Sequence, residues 1–355
     1  MGQKKVAIIG CGTIAATQHI PAYAKNENAE IKYFCDTEIE KAGAMVSRYG
    51  GTAVADYRDI LADSEIEAVS VCVPNNLHAG ISMDFLRAGK HVLCEKPAGR
   101  TYTEVEMMQK AQRETGKILN IGVVNRFNTA VNRIKALIDS GELGELYHVY
   151  GSFRAHRSIP GWGGWFTTKE ISGGGVLIDW GVHFLDLIMY CSGDPIPRTV
   201  SGKTFSKLGK DLKEYTYTDM WAGPPKKDGI YDVEDFVTGF VRTQGPTITL
   251  NGAWAQNINT TEMYIDFMGS KAGIRLNYGG NFQLFSAGDG ALLEINPTYQ
   301  VEQPFEKEID AFLKCMDSGE KLPSNIDSVM VTARIMQALY DSSEQNKEIS
   351  LEVEL

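Results

Sequence analysis

The apolar run Val6-Ala7-Ile8-Ile9 opens directly into Gly10-Cys11-Gly12-Thr13-Ile14-Ala15, a G-x-G-x-x-A pattern set between a strand and the start of a helical stretch. In such a pattern the first glycine permits a tight turn. The second lets the backbone come close to a pyrophosphate, and the small last residue lets helix and strand pack closely. The N-terminus of the following helix adds free N–H groups and the positive end of its dipole. Alone, the pattern also fits an ordinary glycine turn, so its surroundings decide. Short β-rich runs at Lys5–Ile9, Glu30–Asp36, Ala68–Val73, His91–Cys94 and Lys117–Val123 alternate with stretches of helical length at Ile14–Asn26, Glu38–Tyr49, His78–Ala88 and Thr103–Thr115. Nearly continuous apolar strands joined by helices predict a doubly wound parallel sheet covered on both faces.

Asp36 stands at the end of the second run, where a carboxylate accepts hydrogen bonds from a ribose diol and repels a 2′-phosphate, and no Arg follows it. NAD is therefore expected in preference to NADP. Capping the next helix is the competing use of Asp36, and Thr37 can take that duty.

After Asn125 the pattern changes. A helix at Thr129–Ser140, a strand at Leu146–Phe153, a loop rich in Gly and Trp and an apolar helix at Val176–Cys191 precede strand-like stretches at Asp235–Arg242, Thr247–Trp254, Met263–Met268 and Gly273–Leu276. Gly and Pro between these stretches predict antiparallel hairpins. Helices at Glu302–Asp317 and Asn325–Asn346 close the chain, and the polar segment Phe205–Asp232, with Pro224 and Pro225, reads as a long loop. A length of 355 residues suits two domains. They are expected at 1–125, binding the dinucleotide, and at 126–355, binding substrate and supporting oligomerisation, with the closing helices free to pack back on the first.

A formal net charge of −10 with scattered Lys and Arg argues against a nucleic-acid partner. The first apolar run is too short for a secretory signal or a membrane span, so no membrane partner and a cytoplasmic location are expected. The cysteines at 11, 35, 72, 94, 191 and 315 are spread singly, as buried thiols in a reducing compartment would be.

The helix Val176–Cys191 is apolar nearly all round, and its polar exceptions Asp179, His183 and Asp186 recur at i, i+4 and i+7. That stripe is either a solvated face or the lining of a cavity, and an Asp/His pair one turn apart favours the cavity. His183 is the better proton acceptor, and Asp179 either orients it or binds a substrate hydroxyl. No third ligand with suitable spacing accompanies them, so no metal is expected. Lys96 follows a strand and precedes Pro97, which biases it toward extended geometry at the carboxyl edge of the sheet. There it can hydrogen-bond or deprotonate a substrate hydroxyl, a role set against the commoner fate of lysine as a solvated loop residue. Arg157, Trp162 and Trp165, in the Gly-rich loop, suit contact with a sugar face and equally suit anchoring of the loop.

At Cys94-Glu95-Lys96-Pro97 a resemblance becomes specific. Together with Gly10–Ala15, His19-Ile20-Pro21, Val73-Pro74-Asn75-Asn76-Leu77-His78, and Gly173-Gly174-Gly175 leading to Asp179-Trp180-Gly181-Val182-His183, it makes the chain resemble the glucose-fructose oxidoreductase, inositol dehydrogenase and rhizopine-catabolism (Gfo/Idh/MocA) family. The resemblance spans essentially the whole chain. It implies an N-terminal Rossmann domain and a C-terminal α+β domain with an open, mostly antiparallel sheet. In the family that sheet often packs against another subunit, so a homo-oligomer, dimer, tetramer or larger, is expected. It also implies that Asn75, His78, Glu95 and Asn125 join Gly10, Gly12, Thr13, Ile14, Asp36 and Lys96 around the dinucleotide, and that Lys96, Asp179 and His183 meet the reacting carbon. The implied activity is hydride transfer between NAD and a secondary carbinol of a sugar, inositol or glycoside. Two rivals are a glycosidase with tightly held, internally recycled NAD and a non-catalytic sugar sensor. A sensor need not keep Lys96 or His183, and it usually acquires a further binding segment.

Overall fold

Strands without a polar face need cover on both sides, and the first third of the chain is built that way. β1 (Lys4–Ile9), β2 (Ala29–Cys35), β3 (Thr52–Val54), β4 (Ala68–Val71), β5 (His91–Glu95) and β6 (Leu119–Gly122) form an all-parallel sheet in the order β3-β2-β1-β4-β5-β6. Every residue of β4 is buried. The connections include α1 (Ile20–Lys25), α2 (Ile39–Tyr49), α3 (Arg58–Leu61), α4 (Asn75–Arg87) and α5 (Tyr102–Thr115). Thr101 caps α5 by accepting the Glu104 N–H at 3.2 Å, and Gly116 ends it in the left-handed conformation. The stretch leading into α1 departs from regular α-helix: Ala15–His19 is a π-helical turn.

This computed structural model describes residues 2–351. It divides into two units, Met1–Phe127 with Glu302–Met330, and Asn128–Val301 with Val331–Leu355. The first unit takes in the helix Pro304–Ser318 because Ile309, Phe312 and Leu313 share one buried core with Val6, Ile8, Phe34 and Leu93.

The second unit holds α6 (Thr129–Asp139), α7 (Lys169–Ser172), α8 (Val182–Cys191) and a sheet of nine strands. They are β7 (Leu146–Arg154), β8 (Pro197–Phe205), β9 (Phe236–Thr243), β10 (Thr247–Ala253), β11 (Glu262–Gly269), β12 (Ala272–Asn277), β13 (Phe282–Gly288), β14 (Ala291–Ile295) and β15 (Ile349–Ser350). Their order is β14-β13-β12-β11-β7-β10-β9-β8-β15, antiparallel throughout except for the β7·β10 pair. Alternate residues Val149, Phe153, Ile248, Leu250, Ile265 and Phe267 turn inward and share a core with Phe184, Leu185 and Ile188 of α8. The helical run Lys169–Cys191 is long and apolar enough to cross a membrane, but its most apolar stretch is mostly buried inside the protein, which accounts for its composition.

Candidate active site

The sheet order of the first unit reverses direction between β1 and β4, and the loops leaving those strands form the crevice where doubly wound sheets bind ligands. Gly10 has φ +91°, and a Cβ there would lie 2.4 Å from the Cys72 carbonyl oxygen, so only glycine fits between the two loops. Over Gly12 a Cβ would meet nothing within 4 Å, which leaves room for a group to approach the backbone. Thr13 is exposed and Ile14 half-buried at the opening of the helix.

Both carboxylate oxygens of Asp36 accept backbone N–H groups. Its Oδ2 accepts the Cys11 N–H at 2.9 Å and its Oδ1 accepts the Glu38 N–H at 2.9 Å, so one carboxylate fixes the glycine loop and the entry to α2 together. Asn75 opens α4 and Asn125 lies in a short 3-10 turn, both half-buried. A tight glycine turn, open space over Gly12 and a fixed acidic group at the end of β2 are the features a dinucleotide requires.

At the end of β5 two buried histidines clamp Glu95-Lys96-Pro97. His19 Nε2 is 2.8 Å from Glu95 Oε1, while Glu95 Oε2 accepts the Lys96 N–H at 3.0 Å. Burial pushes the Glu95 carboxyl up, but His19 and Lys96 outweigh it and hold the group below its ordinary range. His78 Nδ1 lies 2.7 Å from the Pro97 carbonyl and Nε2 lies 2.8 Å from the Val73 carbonyl. Carbonyl oxygens only accept, so both nitrogens carry protons. Burial alone lowers the His78 pKa, but the Cys94 sulfur and the two carbonyls raise it to about 9. His78 and Glu95, expected beside the dinucleotide, thus spend these polar atoms inside the protein, leaving Lys96 half-buried at the edge. The Lys96–Pro97 peptide is cis.

In the second unit Asp179 sits in a π-helical turn, Leu177–Gly181, that runs into α8. The wider turn breaks the even stripe expected of a straight helix. Asp179 is 9% exposed, His183 is half-buried with its ring centroid 6.0 Å from that of Tyr278, and Asp186 is 2% exposed, so the stripe is not a solvated face. Glu234 fastens the start of this helix. Its carboxylate accepts the Gly175 N–H at 2.9 Å, the Leu177 N–H at 3.0 Å and the Tyr340 hydroxyl at 2.8 Å. The glycines explain themselves here: a Cβ on Gly174 would meet the Tyr340 oxygen at 2.0 Å and one on Gly175 the Glu234 carbonyl oxygen at 1.9 Å.

The loop candidates divide. Trp162 is an anchor: its ring is buried, its N–H donates to the Gly209 carbonyl at 2.6 Å, and it stacks on Tyr231. Arg157 donates to the carbonyls of Thr216 and His156 and to Asn257 Oδ1, at 3.1, 2.7 and 2.6 Å. Trp165 is 41% exposed and stacks on Phe166. Among the described residues no group of three His, Cys, Asp or Glu side chains is placed to hold a metal ion. Sequence reasoning assigned no role to His19, Glu234, Tyr340 or Asp235, whose carboxylate accepts the Lys207, Leu208 and Gly209 N–H groups. A signal was present for the acidic pair, since Glu234-Asp235 stands between the apolar Val233 and Phe236-Val237 at the start of β9.

Residues 4–123 match the oxidoreductase family with NAD-binding Rossmann fold, GFO_IDH_MocA, and residues 131–275 match the GFO/IDH/MocA C-terminal domain. The chain belongs to the Gfo/Idh/MocA oxidoreductase family. It is therefore an oxidoreductase of CH–OH groups that takes a nicotinamide dinucleotide, NAD or NADP. Among its relatives, D-glucoside 3-dehydrogenase of Escherichia coli K12 is 29% identical over 351 residues, covering 98% of this chain and 97% of the relative. An oxidoreductase domain protein from Kribbella flavida shares the fold with a TM-score of 0.88 at 20% identity, covering 99% of this chain and 100% of that one. Aldose-aldose oxidoreductase from Caulobacter crescentus does so with a TM-score of 0.83 at 22% identity, covering 98% and 100%.

Proposed function

We propose that the protein oxidises a secondary carbinol of a sugar, inositol or glycoside with NAD. The observation that carries this reading is a row of positions along one sheet edge. Asp36 follows β2, Gly10 to Ile14 follow β1, Asn75 follows β4 and Lys96 follows β5, and those four strands are neighbours in that order. At a strand spacing of about 4.8 Å, Lys96 stands roughly 15 Å along the edge from Asp36.

Gly10, Gly12, Thr13 and Ile14 would hold the pyrophosphate, Asp36 the ribose diol, and Asn75 and Asn125 the nicotinamide half, where the bound dinucleotide supplies a hydride acceptor. The rest falls to side chains. His183 takes the proton of the substrate hydroxyl, the Lys96 ammonium donates a hydrogen bond to the same oxygen, and Asp179 orients His183 or grips a neighbouring hydroxyl. The carboxylate of Asp36 repels a 2′-phosphate, which favours NAD. The likeness to a D-glucoside 3-dehydrogenase along nearly its whole length supports a glycoside or sugar substrate.

The test is a panel of sugars, inositols and glycosides offered to the purified protein with NAD or NADP, followed by NADH or NADPH absorbance. Turnover is expected with NAD above NADP, and Asp36→Ala should narrow that preference. Absence of reduction across the panel would overturn the reaction. An NADP preference indifferent to Asp36→Ala would overturn the cofactor.

A further inference from the structure

Beyond Phe205, the last residue of β8, the polar segment as far as Asp232 forms no regular element, yet part of it is a wall. A cavity of about 460 Å³ opens in the second unit where Ala155–Ser158, beyond the end of β7, meet Thr216–Thr218 of that segment, with Trp180, Thr261 and Met263 completing it. The volume lies within the range of small-molecule sites, about 300–1,000 Å³.

The wall is held in place. Arg157 Nε donates to the Thr216 carbonyl at 3.1 Å and Nη2 to Asn257 Oδ1 at 2.6 Å, which ties the segment to the loop after β10. The guanidinium lies 5.7 Å from the centroid of the buried Tyr215 ring, and Tyr217 stacks on Tyr215 at 5.9 Å. Tyr217 thereby presents an aromatic ring to the cavity on a fixed backing.

The chemistry of the lining selects a class of ligand. Arg157 is the single Lys or Arg at the cavity, and its donors are spent on protein oxygens; no carboxylate lines it. What remains is the rings of Trp180 and Tyr217, the Met263 side chain, the hydroxyls of Ser158, Thr216, Thr218 and Thr261, and the His156 imidazole. Aromatic faces beside neutral hydrogen-bonding groups suit an uncharged polyhydroxylated ring, whose C–H face stacks while its hydroxyls bond. A phosphate or nucleotide would find no uncommitted cation.

The position matters as much as the lining. Trp180 lines the cavity, whereas its neighbour Asp179 and the next-turn His183 do not. Asp179 and Trp180 are consecutive, so the cavity wall begins one residue from a group assigned to the reacting ring. We propose that the cavity binds the second, uncharged sugar unit of a glycoside whose first ring is the one oxidised. The inference rests on the reaction proposed above and narrows its substrate to molecules longer than one ring.

Methyl β-D-glucoside, cellobiose and maltose, offered with NAD to the wild type, Tyr217→Ala and Thr218→Trp, provide the test. Tyr217 is 37% exposed, so its truncation leaves the core intact. In the wild type one disaccharide is expected to show a KM about tenfold below that of methyl glucoside. Tyr217→Ala should erase most of that gap, and Thr218→Trp, which fills the cavity, all of it. Equal KM values in the wild type, or variants that raise every KM by the same factor, would overturn the subsite. Calorimetric binding of the same disaccharides separates this from failure of the reaction itself. Binding weakened by Tyr217→Ala in a protein that turns over none of the three supports the cavity and sinks the reaction. Binding that is absent in the wild type, or indifferent to Tyr217→Ala, overturns the cavity whatever the turnover. So does UDP-glucose binding more tightly than either disaccharide.

Discussion

His19 and Glu95 form a buried hydrogen-bonded pair, Nε2 to Oε1 at 2.8 Å, with the imidazole fully enclosed and the carboxylate nearly so. The second carboxylate oxygen takes the backbone N–H of Lys96, so the pair fixes the peptide that carries the edge lysine. Removing the imidazole would strand a carboxylate held below its ordinary pKa range in a space it shares with another acid. Burial and the Glu95 charge push the Glu308 carboxyl well above its own range. His19→Ala is therefore expected to cost on the order of 3 kcal/mol of stability. His19→Gln, which can still donate to Oε1, should recover much of it. Denaturant unfolding measures both, and an unchanged midpoint in His19→Ala would show that the pair holds nothing.

His78 sets an alkaline limit. Its folded pKa of about 9 stands above the ordinary 6.5, so its stabilising contribution is fully present below about pH 6.5 and is lost as the pH rises through 9. The size is on the order of 3 kcal/mol. Thermal unfolding of the wild type should therefore weaken between pH 7 and 9.5 by more than that of His78→Leu, which starts lower and lacks this limb. Parallel pH dependences for the two proteins would refute the cationic clamp.

Most of the parallel half of the fold was legible because strands buried on both faces leave apolar runs such as Val6–Ile9, ended by Gly10, whereas the short strand β3, with no buried residue, leaves no such run. The antiparallel half was less so. β14 is exposed along its whole length and the inward positions of β8 are few, so neither shows the alternation that marks a half-buried strand. The π turns at Ala15–His19 and Leu177–Gly181 were also invisible, since a period of apolar residues does not distinguish them from ordinary helix.

The site divides along the same line. Gly10, Asp36 and Lys96 could be singled out as candidates because a local motif surrounds each. His19 could not be assigned a role, because its partner lies 76 residues away, and the bonds from Gly175 and Leu177 to Glu234 span 59 and 57 residues. The Gly173-Gly174-Gly175 run was visible as a pattern, but its reason is the close approach of Glu234 and Tyr340, which only the fold supplies.

The nine-stranded sheet suggests self-association. Val149 and Phe153 are buried in the core with α8, whereas Tyr150, Phe236, Phe240 and Tyr264 are half-buried on the opposite face, beside the Arg154–Glu262 and Arg275–Asp266 pairs. A broad face of aromatic rings with paired charges is what a second copy of the sheet would cover. Light scattering at micromolar concentration should give at least twice the chain mass of 39.1 kDa, and Phe240→Asp should shift it toward one chain. A wild type that is monomeric throughout would dismiss the interface.

The catalytic assignment has the sharpest consequence. If Lys96 and His183 act on the substrate hydroxyl, Lys96→Ala and His183→Ala should each lower turnover by about two to four orders of magnitude while dinucleotide binding persists. Asp179→Asn separates its two roles: a milder loss means that it orients His183, and an equal loss means that it grips the substrate. The wild-type rate should also rise with pH through the titration of an imidazole, a limb that His183→Ala removes. His183 belongs to a helix that is otherwise almost wholly buried, so thermal unfolding has to be compared first. Near-equal stability assigns the lost turnover to chemistry. Wild-type turnover in both alanine variants, with dinucleotide still bound, would leave Asp179 and His183 as structural polar groups of an apolar helix and place the proton transfer elsewhere.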